Sequence, residues 1–326
     1  MPLVSVLMVF HRDTDFLRPA IASVLAQEFR DFELVLIDNG TGLTAEQLGE
    51  PGRDPRLRWV RLARNEGIPA GHNAGVAAAR GEFIALHDYD DLSLPPRLGR
   101  QVAALQADPQ LGVVSALARR IDAAGNETGR EFCLRDPDEH RRYAPYAAPL
   151  ITPAAMGRRD VFTALPYRAE FPFAADLDFQ ARLVERWRTA VVPEILLHYR
   201  WHGGQTTQVR GAAIEHSRSV IQIITGRRLA GRAEDLAAVQ AATTAPSAAG
   251  SWRRGAALCL ADAFPVFAAY QARRSFALDR SPSGAWHALR LYFAARRLAA
   301  GADRERVRRM FFTGPVRALQ LHPAGP

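Results

Sequence analysis

Three carboxylates fall within four residues at Asp88-Tyr89-Asp90-Asp91, with Pro95 four positions further on. Ionised carboxylates so close together repel, and the arrangement is costly unless a cation lies among them. A divalent ion there would bridge to a diphosphate and offset the charge that gathers on a departing nucleotide. The competing reading is an acidic helix start, with Asp91 as a cap before Leu92. A second constellation is Ala174-Ala175-Asp176-Leu177-Asp178-Phe179. A carboxylate just ahead of a helix can take the proton of an attacking hydroxyl from across a pocket. An N-cap role is the alternative for Asp176, and Asp178 reads as a structural partner of an arginine. The third is Tyr199-Arg200-Trp201-His202-Gly203-Gly204-Gln205. Its guanidinium is a fork matched to phosphate oxygens, and its imidazole is either a ligand or a structural histidine.

For residues 88, 176 and 202 to meet, a scaffold must bring distant segments to one edge. Val4 to Phe10, Phe32 to Ile37, Leu57 to Leu62 and Phe83 to Leu86 are short apolar runs that read as buried strands. Between them, Asp15 to Gln27 has helical spacing, and Gly71 to Arg80 is a small-residue helix opened by a glycine-rich turn. The alternation predicts an α/β fold with a mostly parallel sheet flanked by helices. Ligands of such sheets sit beyond the carboxyl ends of the strands. His11-Arg12-Asp13, Asp38-Asn39 and the acidic run all fall at those ends.

Further along, a helix is expected after Pro96, a strand over Gly112 to Leu117, and a polar turn over Asp122 to Gly129. Residues 130–150 read as an irregular loop, Phe179 to Trp187 as a helix, and Ala190 to Tyr199 as a strand pair broken at Pro193. Beyond Gly226 the chain becomes Ala- and Arg-rich and helical, interrupted over Thr243 to Gly250 and Ser281 to Gly284.

Composition narrows the class. With 48% hydrophobic and 23% charged residues the chain is an ordinary globular protein. Two distant cysteines, Cys133 and Cys259, suggest neither a disulfide framework nor a zinc site and suit a reducing cytoplasm. No signal peptide is expected, because the apolar start has neither a basic lead nor a cleavage site. Gly255 to Tyr270 is too short and too interrupted to span a bilayer. Charge is uneven: residues 227–326 hold 16 arginines and 6 acids, against 26 and 28 before them, and lysine is absent. That excess points to an anionic surface or to a solvated helical face. No nucleic-acid module accompanies it, so nucleic acid is not expected as a partner. In the tail, Trp286, Leu289, Tyr292, Phe293, Val307, Met310, Phe311 and Phe312 alternate with arginine, as either core or a membrane-interfacial stripe.

Asp88-Tyr89-Asp90-Asp91-Leu92-Ser93-Leu94-Pro95 resembles the Asp-x-Asp-Asp-x-x-x-Pro segment of family 2 glycosyltransferases. Ser23 to Asp38 resembles that family's first helix and second strand, and Asn65-Glu66-Gly67 through Asn73 the turn before its sugar-nucleotide helix. Ala174 to Leu183 and Arg200-Trp201-His202 resemble its acceptor-side acidic and Arg-x-His segments. The resemblance spans roughly residues 3–208 and implies a GT-A fold. It divides the chain into a catalytic domain over 1–226 (donor half about 1–118, acceptor half about 119–226) and a helical basic extension over 227–326.

By the same resemblance, His11, Asp38, Asn39, Asn65, Gly67, Asn73, Asp88 and Arg200 face the donor nucleotide, Asp90, Asp91 and His202 hold Mn²⁺ or Mg²⁺, and Asp176 is the base. An imidazole beside carboxylates suits Mn²⁺ better. Asn39 stands where the family often has a second acid, and Ala175 where it usually has Glu. Arg158 and Arg159 fall on an acceptor-side segment. The expected activity is inverting transfer of a sugar, a hexose foremost, from a UDP-sugar or dTDP-sugar to a glycan or lipid-linked hydroxyl in cell-surface polysaccharide synthesis. Its expected place is the cytoplasm, with peripheral contact at the inner face of the plasma membrane. The alternatives are a degenerate nucleotide-sugar-binding scaffold and a nucleotidyltransferase; the latter lacks its lysine-bearing phosphate loop.

Overall fold

A computed structural model describes residues 1–130, 134 and 136–313. Cys133 and part of the expected loop over 130–150 lie outside them. The described chain forms two compact units, one of Met1–His140 with Pro149–Gln205, the other of Arg141–Ala148 with the chain from Thr206 onward. Gly226, where the composition changes, lies inside a helix of the second unit, Gly211–Leu229.

The first unit is a mixed sheet built from β1 (Val4–Phe10), β2 (Phe32–Asn39), β3 (Leu57–Leu62), β4 (Phe83–Asp88), β5 (Leu92–Ser93), β6 (Leu111–Ile121), β7 (Glu127–Arg130), β8 (Met156–Arg158) and β9 (Arg188–Arg200). Its order is β3-β2-β1-β4-β8-β6-β9-β5, with β7 on β6. β3, β2, β1 and β4 run parallel, as does β6 with β9. Antiparallel β8 joins the two parallel groups.

Both faces of the central strands are buried, which explains their unbroken apolar runs. Val6, Met8, Leu34, Leu36 and Ala85 face α1 (Leu17–Leu25), whose Leu17, Ile21 and Val24 share that core. Leu7, Val35, Ile37, Ile84 and Leu86 belong to the core on the opposite face, with Phe162, Tyr167 and Phe179. The register pairs Phe10 with Asp38 and Val9 with Asp88, so the carboxyl ends of β1, β2 and β4 are level.

Two connections set the site. α2 (Ile68–Ala78) starts at Gly67, whose φ of 89° is a conformation open to glycine, and lies tight on β1. A Cβ on its Gly71 would come within 2.6 Å of Val9 Cγ1. α3 (Arg97–Ala107) follows the acidic turn. The expected strand pair at 190–199 is instead one strand, β9. Its pairing skips from Ala116↔Val192 to Leu117↔Ile195, so Pro193, which has no N–H to give a ladder, is accommodated in an irregularity rather than a break.

The second unit is helical: Gly211–Leu229, Leu236–Thr243, Ala248–Ala261, Pro265–Leu278, Pro282–Leu298 and Ala302–Thr313. Ser247 and Ser281 cap two of these helices, accepting from the N–H groups of Gly250 and Gly284, at the interruptions expected from sequence. Trp252 is buried, and its indole N–H donates to Glu215, which also receives Arg274. The tail stripe divides: Tyr292, Val307, Met310 and Phe311 are core, whereas Trp286, Phe293 and Phe312 are exposed. Among the described residues no helix is long and apolar enough to cross a membrane.

Candidate active site

β4 ends at Asp88, and the chain turns through Tyr89 and Asp90 to Asp91 before β5. No helix begins at Asp91, so the capping alternative does not hold there. One oxygen from each of Asp88, Asp90 and Asp91 lies within 4.8 Å of the others. Asp90 and Asp91 are buried. Asp91 Oδ1 accepts the Arg200 backbone N–H at 2.8 Å, while Oδ2 is buried with no hydrogen-bond partner. Desolvation, reinforced by Asp90 and Asp176, pushes the Asp88 carboxyl up to about 7. Desolvation and the neighbouring Asp88 and Asp90 likewise raise Asp91 well above the usual carboxylate range. An orphaned buried oxygen in a cluster of mutually repelling carboxylates fits a hard divalent cation, whose charge would relieve both.

Behind the cluster stands Arg97, fully buried on α3. Its guanidinium donates to Ser93 Oγ, Gln101 Oε1 and the Leu86 carbonyl. Burial lowers it to about 10, against the pull of Asp91 and Asp88. Sequence reading missed it. The available signal was one arginine beside the apolar positions Leu98, Val102 and Leu105, with Gln101 one turn away.

His202 Nε2 lies 2.9 Å from Asp90 Oδ2. Its Nδ1 accepts the Gly204 N–H, so Nε2 carries the ring proton and donates to Asp90. His202 thus joins the triad through Asp90; ligation through Nε2 would need the proton moved to Nδ1. Arg12, also missed, donates to Tyr89 Oη at 3.1 Å and to the Gly204 carbonyl, tying the β1 loop to both segments. His11 is exposed and stands edge-on to Tyr89. Desolvation, then Arg12, lowers its pKa, so it is neutral near pH 7.

Several residues expected at the donor also bond to the chain. Asp38 is buried and accepts from Thr41 N–H and Oγ1, Gly42 N–H and Arg61. Asn39 accepts the Glu66 N–H and donates to the Gly67 carbonyl. Asn73 pairs with the Tyr167 backbone at both its N–H and its carbonyl. Arg200 donates to the carbonyls of Asp90, Asp122 and Ala123 and lies over the Phe16 ring. The polar atoms of these four residues hold the loops at the edge where the donor is expected. Asn65 is exposed, and its side chain accepts the Gly67 N–H. Arg158 likewise donates to the Leu105 and Leu111 carbonyls, while Arg159 is exposed.

The helix over the expected base runs Ala175–Arg186, with Ala174 at its N-cap, so Asp176 lies in the first turn and is not the cap. Asp176 is exposed and has no hydrogen-bond partner among the described residues. Its charge is felt at Asp88, His72 and Tyr167, so it lies near the acidic cluster. Asp178 is buried and held by Arg168 and Arg182. An unengaged carboxylate therefore lies near a cluster suited to a divalent cation.

The sequence model described as Glycosyl transferase family 2 matches residues 5–165. Residues 5–165 belong to this family. The chain is 28% identical over 209 residues to an uncharacterized glycosyltransferase of Methanocaldococcus jannaschii, covering 61% of this chain and 71% of that one. It is 37% identical over 106 residues to the succinoglycan biosynthesis protein ExoO of Rhizobium meliloti, covering 32% and 30%. Among solved structures, S. aureus TarS 1-349 in complex with UDP-GlcNAc superposes with a TM-score of 0.57 at 15% identity, over 98% of this chain and 89% of that one. That likeness establishes the GT-A fold, and the family match makes the chain a glycosyltransferase.

Proposed function

We propose that this glycosyltransferase moves a hexosyl group, with inversion, from a UDP-sugar, or a dTDP-sugar, to a hydroxyl of a glycan or lipid-linked acceptor in polysaccharide synthesis. The observation that carries the reading is the pairing of an exposed, unengaged Asp176 with a triad whose Asp91 Oδ2 is orphaned. ExoO is a succinoglycan biosynthesis protein and TarS has been crystallised with UDP-GlcNAc, which supports the donor and pathway classes.

Asp88, Asp90 and Asp91 are assigned to hold Mn²⁺ or Mg²⁺, with His202 joining by tautomer exchange. Bound there, the ion would neutralise charge on the leaving diphosphate. Asp176 takes the proton of the acceptor hydroxyl as its oxygen attacks the anomeric carbon from the side opposite the leaving group. The glycosidic bond forms as the bond to the diphosphate oxygen breaks, and the nucleoside diphosphate departs with that electron pair. His11, Asn65 and Gly67 form the nucleotide-facing rim, and Asp38, Asn39, Asn73 and Arg200 fix its walls. The cytoplasm is the proposed site of action.

The test is thermal stabilisation by UDP, dTDP, GDP, ADP and CDP, each with and without Mn²⁺. Stabilisation by UDP or dTDP that requires Mn²⁺ is expected. No stabilisation by any nucleotide would leave the fold without this activity and favour a binding-incompetent scaffold.

A further inference from the structure

The helix Pro282–Leu298 of the second unit buries Gly284, Ala288, Tyr292 and Ala295 along one side. At about 100° per residue, the diametrically opposite line carries Trp286, Arg290, Phe293 and Arg297. Trp286 is 62% exposed and Phe293 48%, and both arginines are exposed. Large aromatics are rarely left this open on the outer face of a helix that already has a full buried face.

Charge identifies the occupant. The helix contains no acidic residue. Among the described residues, Arg290, Arg296 and Arg297 make no ion pair or hydrogen bond, whereas Arg308 and Arg309 on the following helix are paired with Glu305. Exposed Phe312 extends the apolar side, since it and Phe293 both contact the Tyr292 ring. A protein partner or a second copy would have to supply acids opposite each arginine and a socket for each aromatic. A bilayer with anionic headgroups supplies both everywhere, because aromatic rings settle at the headgroup–acyl boundary while guanidinium groups reach phosphate.

We infer that the Trp286–Arg290–Phe293–Arg297 face is a peripheral docking surface for anionic phospholipid. The helix lies along the membrane plane with its aromatics inserted. The inference goes beyond the transfer reaction and does not depend on it.

Vesicle co-sedimentation of the full chain tests it, using phosphatidylcholine alone and with about a quarter phosphatidylglycerol, at low and moderate salt. The chain is expected to sediment with the anionic vesicles and not with phosphatidylcholine alone. Arg290→Gln with Arg297→Gln should weaken binding by roughly 25-fold, about fivefold for each charge lost near the surface. Trp286→Ser with Phe293→Ser should abolish the fraction that survives moderate salt. All four residues point outward, so these variants should melt with the parent, and Trp286 emission should shift to the blue on binding. Failure of the parent chain to sediment, or sedimentation of both double variants like the parent, overturns the inference. It is equally overturned if light scattering shows a dimer that the aromatic variant dissolves, with no vesicle binding by either.

Discussion

Asp176 and Asp178 are two residues apart, which on a helix turns their side chains about 200° from one another. Asp178 points into the protein and is fixed by Arg168 and Arg182, while Asp176 points out and is held by nothing. Only the second arrangement leaves lone pairs for a substrate proton. Asp176→Asn is therefore expected to cut turnover by about 10²- to 10⁴-fold while Mn²⁺-dependent UDP binding is retained. Steady-state kinetics beside nucleotide titration checks it, and normal turnover would move the base elsewhere. Asp88 supports a second prediction. Its folded pKa of about 7 lies above the ordinary value of 3.8, so between these values the folded state holds the extra proton. Stability of the metal-free protein is then greatest below the lower value and declines as pH rises through the higher one. Asp88→Asn should flatten that decline in the melting temperature measured from pH 5 to 8. Divalent metal should bind more tightly as pH rises across the same window, because it displaces the proton.

At the scale of elements, β9 and the acidic turn are joined by Arg200, whose backbone N–H serves Asp91 and whose guanidinium serves the Asp90 carbonyl. Arg200→Gln should cost on the order of 3 kcal/mol, because buried carbonyls at Asp90, Asp122 and Ala123 lose their donor. Metal affinity should fall with it. Chemical denaturation and Mn²⁺ titration of the variant read the two effects; a loss of UDP affinity at unchanged stability would mean that Arg200 serves the diphosphate rather than the loops. This case shows what sequence makes legible. Strand ends and acidic runs are local signals, so the edge holding His11, Asp38 and Asp88 follows from periodicity and punctuation alone. Whether a polar side chain faces ligand or chain depends on which carbonyls lie nearby, and those come from segments far along the sequence. Asn73 and Tyr167 are 94 positions apart, and Arg200 and Asp90 110. β8, three residues long, was hidden for the same reason: its partners on β4 and β6 are distant, and its length carries no period.

Over the whole molecule, charge and chemistry are divided between the units. The acidic triad and the expected base lie in the first, and most of the arginine excess in the helical second. The second unit has its own core around Trp252, which stacks edge-on to Tyr270 and donates to Glu215. Cys259 lies two turns from Trp252 on the same face of the helix Ala248–Ala261 and is fully buried; burial raises its thiol pKa. A buried neutral thiol does not react with disulfide reagents, because the thiolate is the nucleophile and must first reach water. In a Cys133→Ser background, labelling of Cys259 therefore reports opening of the helical unit. Trp252→Ala removes a large buried ring and leaves Glu215 with one donor fewer, at a cost of about 3–5 kcal/mol. If labelling follows the population of the open form, its rate should rise by roughly two to four orders of magnitude. A rate unchanged by the substitution would mean that Cys259 is uncovered by a local movement in which Trp252 takes no part.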